Sequence, residues 1–251
     1  ILLNKSSLNN KEIILSNFDI KNINLKIFKK AFNRRIKNEP ISKIYNSKSF
    51  WKYNFYVNNK VIDPRPETEI IIEQALKIIK NKKLNLNILD IGTGSGCLSV
   101  CLAKEFINSK IISIDSSKEA IKVAKKNFKK YKCEKQISSR ICSIESIFEK
   151  FDLIVSNPPY LSLNEYKNTM LDIKKYEPKL AFLGGNDGLF FYRKFAYFLP
   201  NIMKKNSFLI IEIGENQAVQ CLKIFEKTSL KFVKKVKDLQ KKDRILIFSK
   251  L

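Results

Sequence analysis

From Leu86 onward the chain alternates short apolar runs with amphipathic segments, and this alternation narrows the fold more than any other feature. NILDI reads as a strand, followed by a helix from about Cys97 to Phe106. KIISID reads as the next strand, with a helix from Lys118 to about Lys130 behind it. A weaker strand falls near Ile137 to Cys142, and FDLIVS is a further apolar run. A helix near Leu189 to Met203 precedes the strand FLIIEIG, and one from about Gln217 to Lys227 precedes two last strands near Lys231–Val236 and Arg244–Ser249. Strands and helices in turn predict an α/β fold: a mostly parallel sheet with helices on both faces. The last two strands can pair antiparallel. There are no internal repeats and no low-complexity linker.

The segment before Leu86 has another texture. Residues 7–39 carry Ile13, Ile14, Phe18, Ile20, Phe28, Phe32 and Ile36 at helix-like spacing. Glu39 to Val61 holds Tyr45, Phe50, Trp51, Tyr53, Phe55 and Tyr56, with the alternation of a hairpin. DPRPETE then opens a helix running to about Lys80, with early proline and first-turn acids suited to a helix start. Three units are expected: 1–40 helical, 41–62 a connecting hairpin, and 63–251 the α/β domain.

Composition removes several chemistries. The 251 residues include no His, which excludes Ser-His and Cys-His nucleophiles and argues against a transition-metal site. The five cysteines have neither metal nor disulfide spacing and read as reduced core thiols of a cytoplasmic protein. No apolar run approaches the ~18–20 residues of a membrane span. Ile1 to Asn10 lacks a leader pattern, and a first residue other than Met suggests a fragment or a displaced start. The net charge of +24 suits nucleic acid or a ribonucleoprotein neighbourhood. Lys is spread throughout, however, and the crowding of Lys, Asn and Ile also reads as drift toward AT-rich codons.

LDIGTGSG, Leu89 to Gly96, lies between the first strand of the alternation and its helix. Glycines at 92, 94 and 96, interleaved with Thr93 and Ser95, let the backbone turn and approach a ligand closely. The guest is a nucleotide. The dinucleotide pattern G-x-G-x-x-G/A fails in both registers, because the sixth position is Cys97 or Ser99. The spacing instead favours S-adenosyl-L-methionine, which has no pyrophosphate. Asp115 ends the second strand, where a carboxylate can accept ribose hydroxyls. Asp90 can steady the loop or meet the methionine amine.

FDLIVS ends in NPPY, Asn157 to Tyr160. Two prolines stop a sheet, but the amide and the aromatic ring are not needed for that. A planar NH2 group is a poor nucleophile, and its two N–H bonds need two acceptors. Asn157 offers a side-chain carbonyl. Pro158 offers a main-chain carbonyl, left free because Pro159 has no N–H and the chain before it is extended. Tyr160 can stack on a planar substrate group. This is catalysis by positioning, worth up to ~7–11 kcal/mol. It needs no general base, consistent with the absence of His.

NPPY at the end of such a strand resembles the amino-methyltransferases that act on planar nitrogens. DPRPETE, EPKLAFLGGNDGL (Glu177–Leu189), LIIEIGENQ (Leu209–Gln217) and DRILIF narrow the resemblance to bacterial peptide chain release factor N(5)-glutamine methyltransferases. RRIKNEP and FWKYNFYV resemble that family's interdomain hairpin, so the likeness covers roughly Arg34 to Lys250. It implies a class I S-adenosylmethionine-dependent methyltransferase: a Rossmann-like, mostly parallel seven-stranded sheet with a small N-terminal helical domain. The implied substrate is the glutamine of the GGQ loop in class I release factors. Gly92 to Gly96 and Asp115 would hold the donor, and Asn157 to Tyr160 the glutamine, with Pro159 beside it. Glu67, Thr68 and Glu69 would lie near the cleft mouth. A monomer, free of membrane and with no required nucleic acid, is expected.

Three departures stand out. Asn38 replaces the family's usual Gly. CSIES, Cys142 to Ser146, replaces a stretch with Asp and often Trp beside the adenine, so Ile144 or Glu145 occupies that ground. The segment before Arg34 is shorter than the family's N-terminal domain. Other readings are a nucleic-acid amino-methyltransferase, which needs a base-flipping pocket and a target-recognition segment not seen here, a ribosomal-protein glutamine methyltransferase, which differs at PRPETE, and a basic RNA-binding module on a decayed methyltransferase fold.

Overall fold

The computed structural model describes residues 24–251. Helix α1 (Leu25–Ile36) starts where the Asn24 side chain accepts from the Ile27 amide at 3.1 Å, a short polar cap for otherwise unpaired N–H groups. The remainder of the helical reading, residues 7–23, lies outside the described residues. Past the helix, Asn38 adopts φ 62°, the left-handed region that usually calls for glycine. Asn tolerates this conformation better than other side chains, so it can stand in for the expected glycine.

The segment read as a hairpin holds one unexpected element. Pro40 leads into a short helix α2 (Ile41–Tyr45), and only then do β1 (Lys48–Phe50) and β2 (Tyr53–Phe55) pair antiparallel. Five residues are too few to show a helical period, which is why alternation alone missed α2. PRPETE forms a 3-10 turn, Pro66–Thr68, that runs into α3 (Glu69–Ile78).

The alternating half follows as expected. It comprises β3 (Asn87–Ile91), α4 (Cys97–Glu105), β4 (Lys110–Asp115), α5 (Lys118–Lys130), β5 (Ile137–Ile141) and β6 (Phe151–Ser156). Two short helices absent from the sequence reading come next, α6 (Leu163–Lys167) and α7 (Leu171–Tyr176). Then come α8 (Phe190–Ile202), β7 (Met203–Glu212), α9 (Ala218–Phe225), β8 (Lys231–Lys237) and β9 (Asp243–Lys250).

One seven-stranded sheet results, in the order β5-β4-β3-β6-β7-β9-β8. The pairs among β3 to β7 are parallel, and β9 is antiparallel to both neighbours. The two-residue pleat sends alternate side chains to opposite cores. Ile88, Leu153, Val155 and Ile210 join one cluster with residues of α3, α4 and α5. Leu89, Ile91, Ile154 and Ile211 join the other with residues of α8 and α9. The chain leaves β3 toward β4 on one side and returns through β6 on the other. The strand order therefore reverses between β3 and β6, which opens a crevice at their carboxyl ends. Among the described residues, no helix is long and apolar enough to cross a membrane.

A buried polar clasp fixes the approach to this crevice. The Lys43 ammonium, 2% exposed, lies 2.6 Å from an Asp63 oxygen and donates to the Val61 carbonyl at 2.8 Å. The Ser42 hydroxyl donates to the other Asp63 oxygen. The Asp63 amide in turn donates to Glu177 at 2.9 Å, and Arg65 pairs with the same carboxylate at 2.8 Å. Removing one partner of a buried ion pair leaves an unmatched charge. Lys43→Met is thus expected to destabilise the fold by about 3–5 kcal/mol. The check is a lower midpoint in denaturant titration at unchanged slope; an unchanged midpoint counts against the clasp.

Candidate active site

The glycine loop is folded onto the end of β4. The Gly92 and Thr93 amides both donate to the Ile114 carbonyl, at 2.9 and 3.0 Å. Asp115 accepts from the Gly94 amide at 2.9 Å and from the Ser117 amide at 2.8 Å, so one carboxylate ties the loop to the start of α5. Asn127 donates to the Ser95 carbonyl at 2.8 Å from the α5 side. Beneath the loop, one Asp90 oxygen accepts from Thr93 at 2.7 Å and from Ser99 at 2.6 Å. The other Asp90 oxygen is buried with no partner. Burial pushes the Asp90 carboxyl up to about 6, and also raises Asp115, against its two amide bonds.

This loop fits a methyl-donor nucleoside. Gly92 and Gly94 adopt φ 74° and 55°, and a Cβ on either would meet nothing closer than backbone oxygens at 4.0 and 3.9 Å. The space beside them is open, so bare backbone faces it. An acidic oxygen without a partner suits an amine, and a strand-end carboxylate suits a ribose.

NPPY stands directly opposite. β3 and β6 pair with Ile91 beside Ser156, and the Ser156 hydroxyl donates to the Ile91 carbonyl at 2.8 Å. The chain therefore leaves the sheet as Gly92 on one strand and Asn157 on the next, and a Cβ on Gly92 would lie 4.0 Å from the Asn157 carbonyl. The Asn157 side-chain NH2 donates to the Thr68 hydroxyl at 2.8 Å. That hydroxyl donates to Glu212 at 2.6 Å, and the Tyr160 hydroxyl approaches the other Glu212 oxygen at 3.4 Å. Among the described residues, the Asn157 side-chain oxygen and the Pro158 carbonyl accept no hydrogen bond. Burial pushes the Glu212 carboxyl up to about 7, with the Thr68 bond and the Arg244 charge opposing it. Burial likewise raises the Tyr160 phenol.

A cavity of about 280 Å³ opens here, walled by Ile62, Glu67, Asn157, Pro158, Phe182 and Arg244 among others. The segment after NPPY is held by GGNDGL and by Gln217. The Leu161 amide donates to the Phe182 carbonyl and the Gly184 amide to the Leu161 carbonyl, each at 2.8 Å. Gln217 donates to the Tyr160 carbonyl at 2.8 Å. Gly188 has φ 78°, and a Cβ there would fall 2.4 Å from the Tyr160 carbonyl oxygen, so no side chain fits.

Most residues singled out in the sequence gather at this crevice. Asp90, Gly92 to Gly96 and Asp115 lie on its β3–β4 side, and Asn157, Pro158 and Tyr160 form its other wall. Pro159 is half-buried beside Gly184. Glu67 lines the cavity, whereas Thr68, 3% exposed, sits behind Asn157. Glu69 turns away and accepts from the Trp51 amide at 2.7 Å. Glu145 lies past β5 and is ion-paired with Lys194 of α8, which holds its carboxyl at about 2. Ile144 beside it is buried in the core. Glu212, Gln217 and Arg244 were not singled out, although the first two stand within the quoted LIIEIGENQ. Among the described residues, no group of three or more His, Cys, Asp or Glu could hold a metal ion.

Comparison with known proteins agrees with this geometry. A family model described as a methyltransferase domain matches residues 82–240. The release factor glutamine methyltransferase of Buchnera aphidicola subsp. Baizongia pistaciae is 36% identical over 217 residues, covering 86% of this chain and 78% of that protein. The bifunctional methyltransferase of Rickettsia bellii is 34% identical over 271 residues, 95% of this chain and 48% of its own length. The chain thus spans about half of that longer relative. The solved ribosomal protein L11 methylase of Lactobacillus delbrueckii subsp. bulgaricus superposes with a TM-score of 0.53 at 18% identity, over 74% of this chain and 80% of that one, and shares the fold. With its methyltransferase domain and its relatedness over most of the Buchnera protein's length, the chain belongs to the release factor glutamine methyltransferase family.

Proposed function

We propose that this protein transfers a methyl group from S-adenosylmethionine to the side-chain amide nitrogen of the glutamine in the GGQ loop of class I peptide chain release factors, modulating translation termination. The observation that carries the reading is the pair of unengaged acceptors, the Asn157 side-chain oxygen and the Pro158 carbonyl, next to the glycine loop across β3 and β6. Family membership supports the same reading.

When bound, S-adenosylmethionine supplies an electrophilic methyl on a sulfonium. Gly92 to Gly96 and Asp115 hold it in this reading, with the unpartnered Asp90 oxygen available to its amine. The chain's part in the chemistry is to place the glutamine amide. Asn157 and Pro158 accept its two N–H bonds, which fixes the nitrogen and leaves its lone pair free to face the methyl group. Tyr160, its hydroxyl turned toward Glu212, presents its ring to the planar amide. Water takes the proton that the methylated nitrogen releases, so no imidazole is required. Residues 1–40 are assigned to recognition of the release factor, 41–62 to the connection, and 63–251 to catalysis. We place the enzyme in the cytoplasm as a monomer that requires no nucleic acid.

The deciding experiment is labelled methyl transfer to a release factor, to the same factor with its GGQ glutamine replaced, and to duplex DNA or ribosomal RNA. Label should appear on the first substrate alone. Label on nucleic acid instead would replace the substrate class.

Two variants separate the roles. Asn157→Ala should lower turnover by at least ~10²-fold with donor affinity near normal, since it removes an acceptor aimed at the reacting group. Asp115→Asn should do the reverse. Loss of a charged acceptor weakens S-adenosylmethionine binding by roughly 10- to 100-fold in calorimetry, and a saturating donor restores much of the turnover. Equal turnover in Asn157→Ala and wild type would remove the amide from the mechanism.

A further inference from the structure

We propose that Glu212, acting through the Thr68 hydroxyl, is the positioning residue that decides which end of the Asn157 amide faces the substrate. The inference rests on Asn157 serving as an acceptor for the substrate NH2, and it adds two residues that never touch the reacting atoms.

An asparagine amide has two ends of nearly equal size and opposite function. With its oxygen toward the cleft, Asn157 accepts a substrate N–H. With its nitrogen there, it would oppose one NH2 with another. Nothing in the residue's own covalent structure chooses between these. The choice falls to Thr68, whose hydroxyl is 2.8 Å from the Asn157 nitrogen. A hydroxyl has one proton to give. The Thr68 proton goes to Glu212 at 2.6 Å, so toward Asn157 the Thr68 oxygen can only accept. The chain of donors runs one way: Asn157 amide to Thr68, Thr68 to Glu212. An ionised carboxylate is an acceptor only, and it anchors the sense of the whole relay.

A protonated Glu212 undoes that anchor. Its O–H can donate to Thr68, whose proton is then free for the Asn157 oxygen, and the amide turns its NH2 to the cleft. No covalent bond changes; one proton is taken up from water.

The charge on Glu212 is balanced by its surroundings. It is 1% exposed at the end of β7. Thr68 and Tyr160 bring hydroxyls to its two oxygens. Arg244 of β9 favours its ionised form but is itself bound to Asp238, at 3.0 and 3.2 Å. Glu67, from the same 3-10 turn as Thr68, opposes ionisation. Tyr192 of α8 donates at 3.1 Å to the Glu212 main-chain carbonyl rather than to the carboxylate. Burial outweighs the favourable contacts and pushes the carboxyl up to about 7. With a raised value the protonated form persists to higher pH, so the productive relay is complete above that point and is lost as pH falls through it.

The test begins on the free, full-length enzyme, so that it does not depend on the substrate. Nuclear magnetic resonance of the side-chain NH2 groups, with Asn157 assigned by its absence in Asn157→Asp, is followed across roughly pH 5–9. The expected result is one titration step in the Asn157 pair near neutrality. The step vanishes in Glu212→Gln and in Thr68→Val, and it survives in Thr68→Ser, which keeps the hydroxyl. Turnover of the release factor should show an acid limb at the same midpoint, absent in Glu212→Gln. Thr68→Val should lower kcat by at least ~10-fold, with KM for the donor within about twofold. An Asn157 pair that does not respond to pH, or a step that persists in Glu212→Gln, overturns the proposal. If Glu212→Gln does not fold, the Thr68→Val and Thr68→Ser pair decides alone: a step that survives in Thr68→Val overturns it. A release factor that takes no label while the titration step behaves as expected would defeat the substrate assignment and leave the relay standing.

Discussion

The parallel pairing of β3 with β6 is the constraint from which the active site follows. Ile91 lies beside Ser156, so the residues that continue each strand, Gly92 and Asn157, must emerge side by side. Because the strand order reverses at this pair, no crossover helix covers the gap between them. A one-residue slip would send Ser156 to the opposite face and turn Asn157 away from the glycine loop. Such a slip would also move Leu153, Ile154 and Val155 into the wrong cores, and all three are fully buried. The hydrophobic register of a central strand thus sets the position of the Asn157 amide to within one residue.

The polar residues around that amide are held by parts of the chain far apart in sequence. Thr68 and Glu212 meet across 144 positions, and Tyr160 reaches the same carboxylate across 52. Gln217 binds the Tyr160 carbonyl while Gly188 packs against it, so the strand end is gripped from α9 and from the GGNDGL turn together. On the far side, the Lys43–Asp63 pair and Glu177 bind the PRPETE approach to the start of the EPKL segment. PRPETE, LIIEIGENQ, GGNDGL and the glycine loop thus each place a residue against NPPY. Catalysis by positioning, as proposed above, needs this rigidity, because its whole effect depends on where the nitrogen is held.

The parts legible in the sequence were those written in local pattern. Short apolar runs revealed β3, β4, β6 and β7, and the glycine spacing located the loop that faces NPPY across the crevice. The missed helices show the limit of that signal. α2 and α7 are five and six residues long, below the length at which a helical period can be recognised. α6 did carry a local mark, a capping box formed by Ser162 and Glu165, and it was readable in SLNE. Thr68 looked like a helix-start residue at a cleft mouth because its neighbours are helix-start residues. Its partners lie just past β6 and at the end of β7, and only the folded sheet brings them within a hydrogen bond. Glu212 was hidden for the opposite reason, as one charged letter at the end of an apolar strand.

That position is costly, and the cost is informative. A carboxylate that is 1% exposed needs strong donors or a nearby cation to remain ionised. Arg244 sits close enough to help but is shared with Asp238, and Glu67 acts against it. A glutamine at 212 would fill the same space without the burial penalty of a charge. What a glutamine lacks is acceptors at both ends, because one end of its amide accepts and the other donates. Thr68 could then present either its proton or its lone pair to Asn157, and the two amide orientations would become nearly equivalent. The buried charge is therefore best understood by the direction it imposes. It converts a symmetric-looking amide into a defined acceptor, as the proposed reaction requires where a poor nucleophile is to be held by both of its hydrogens.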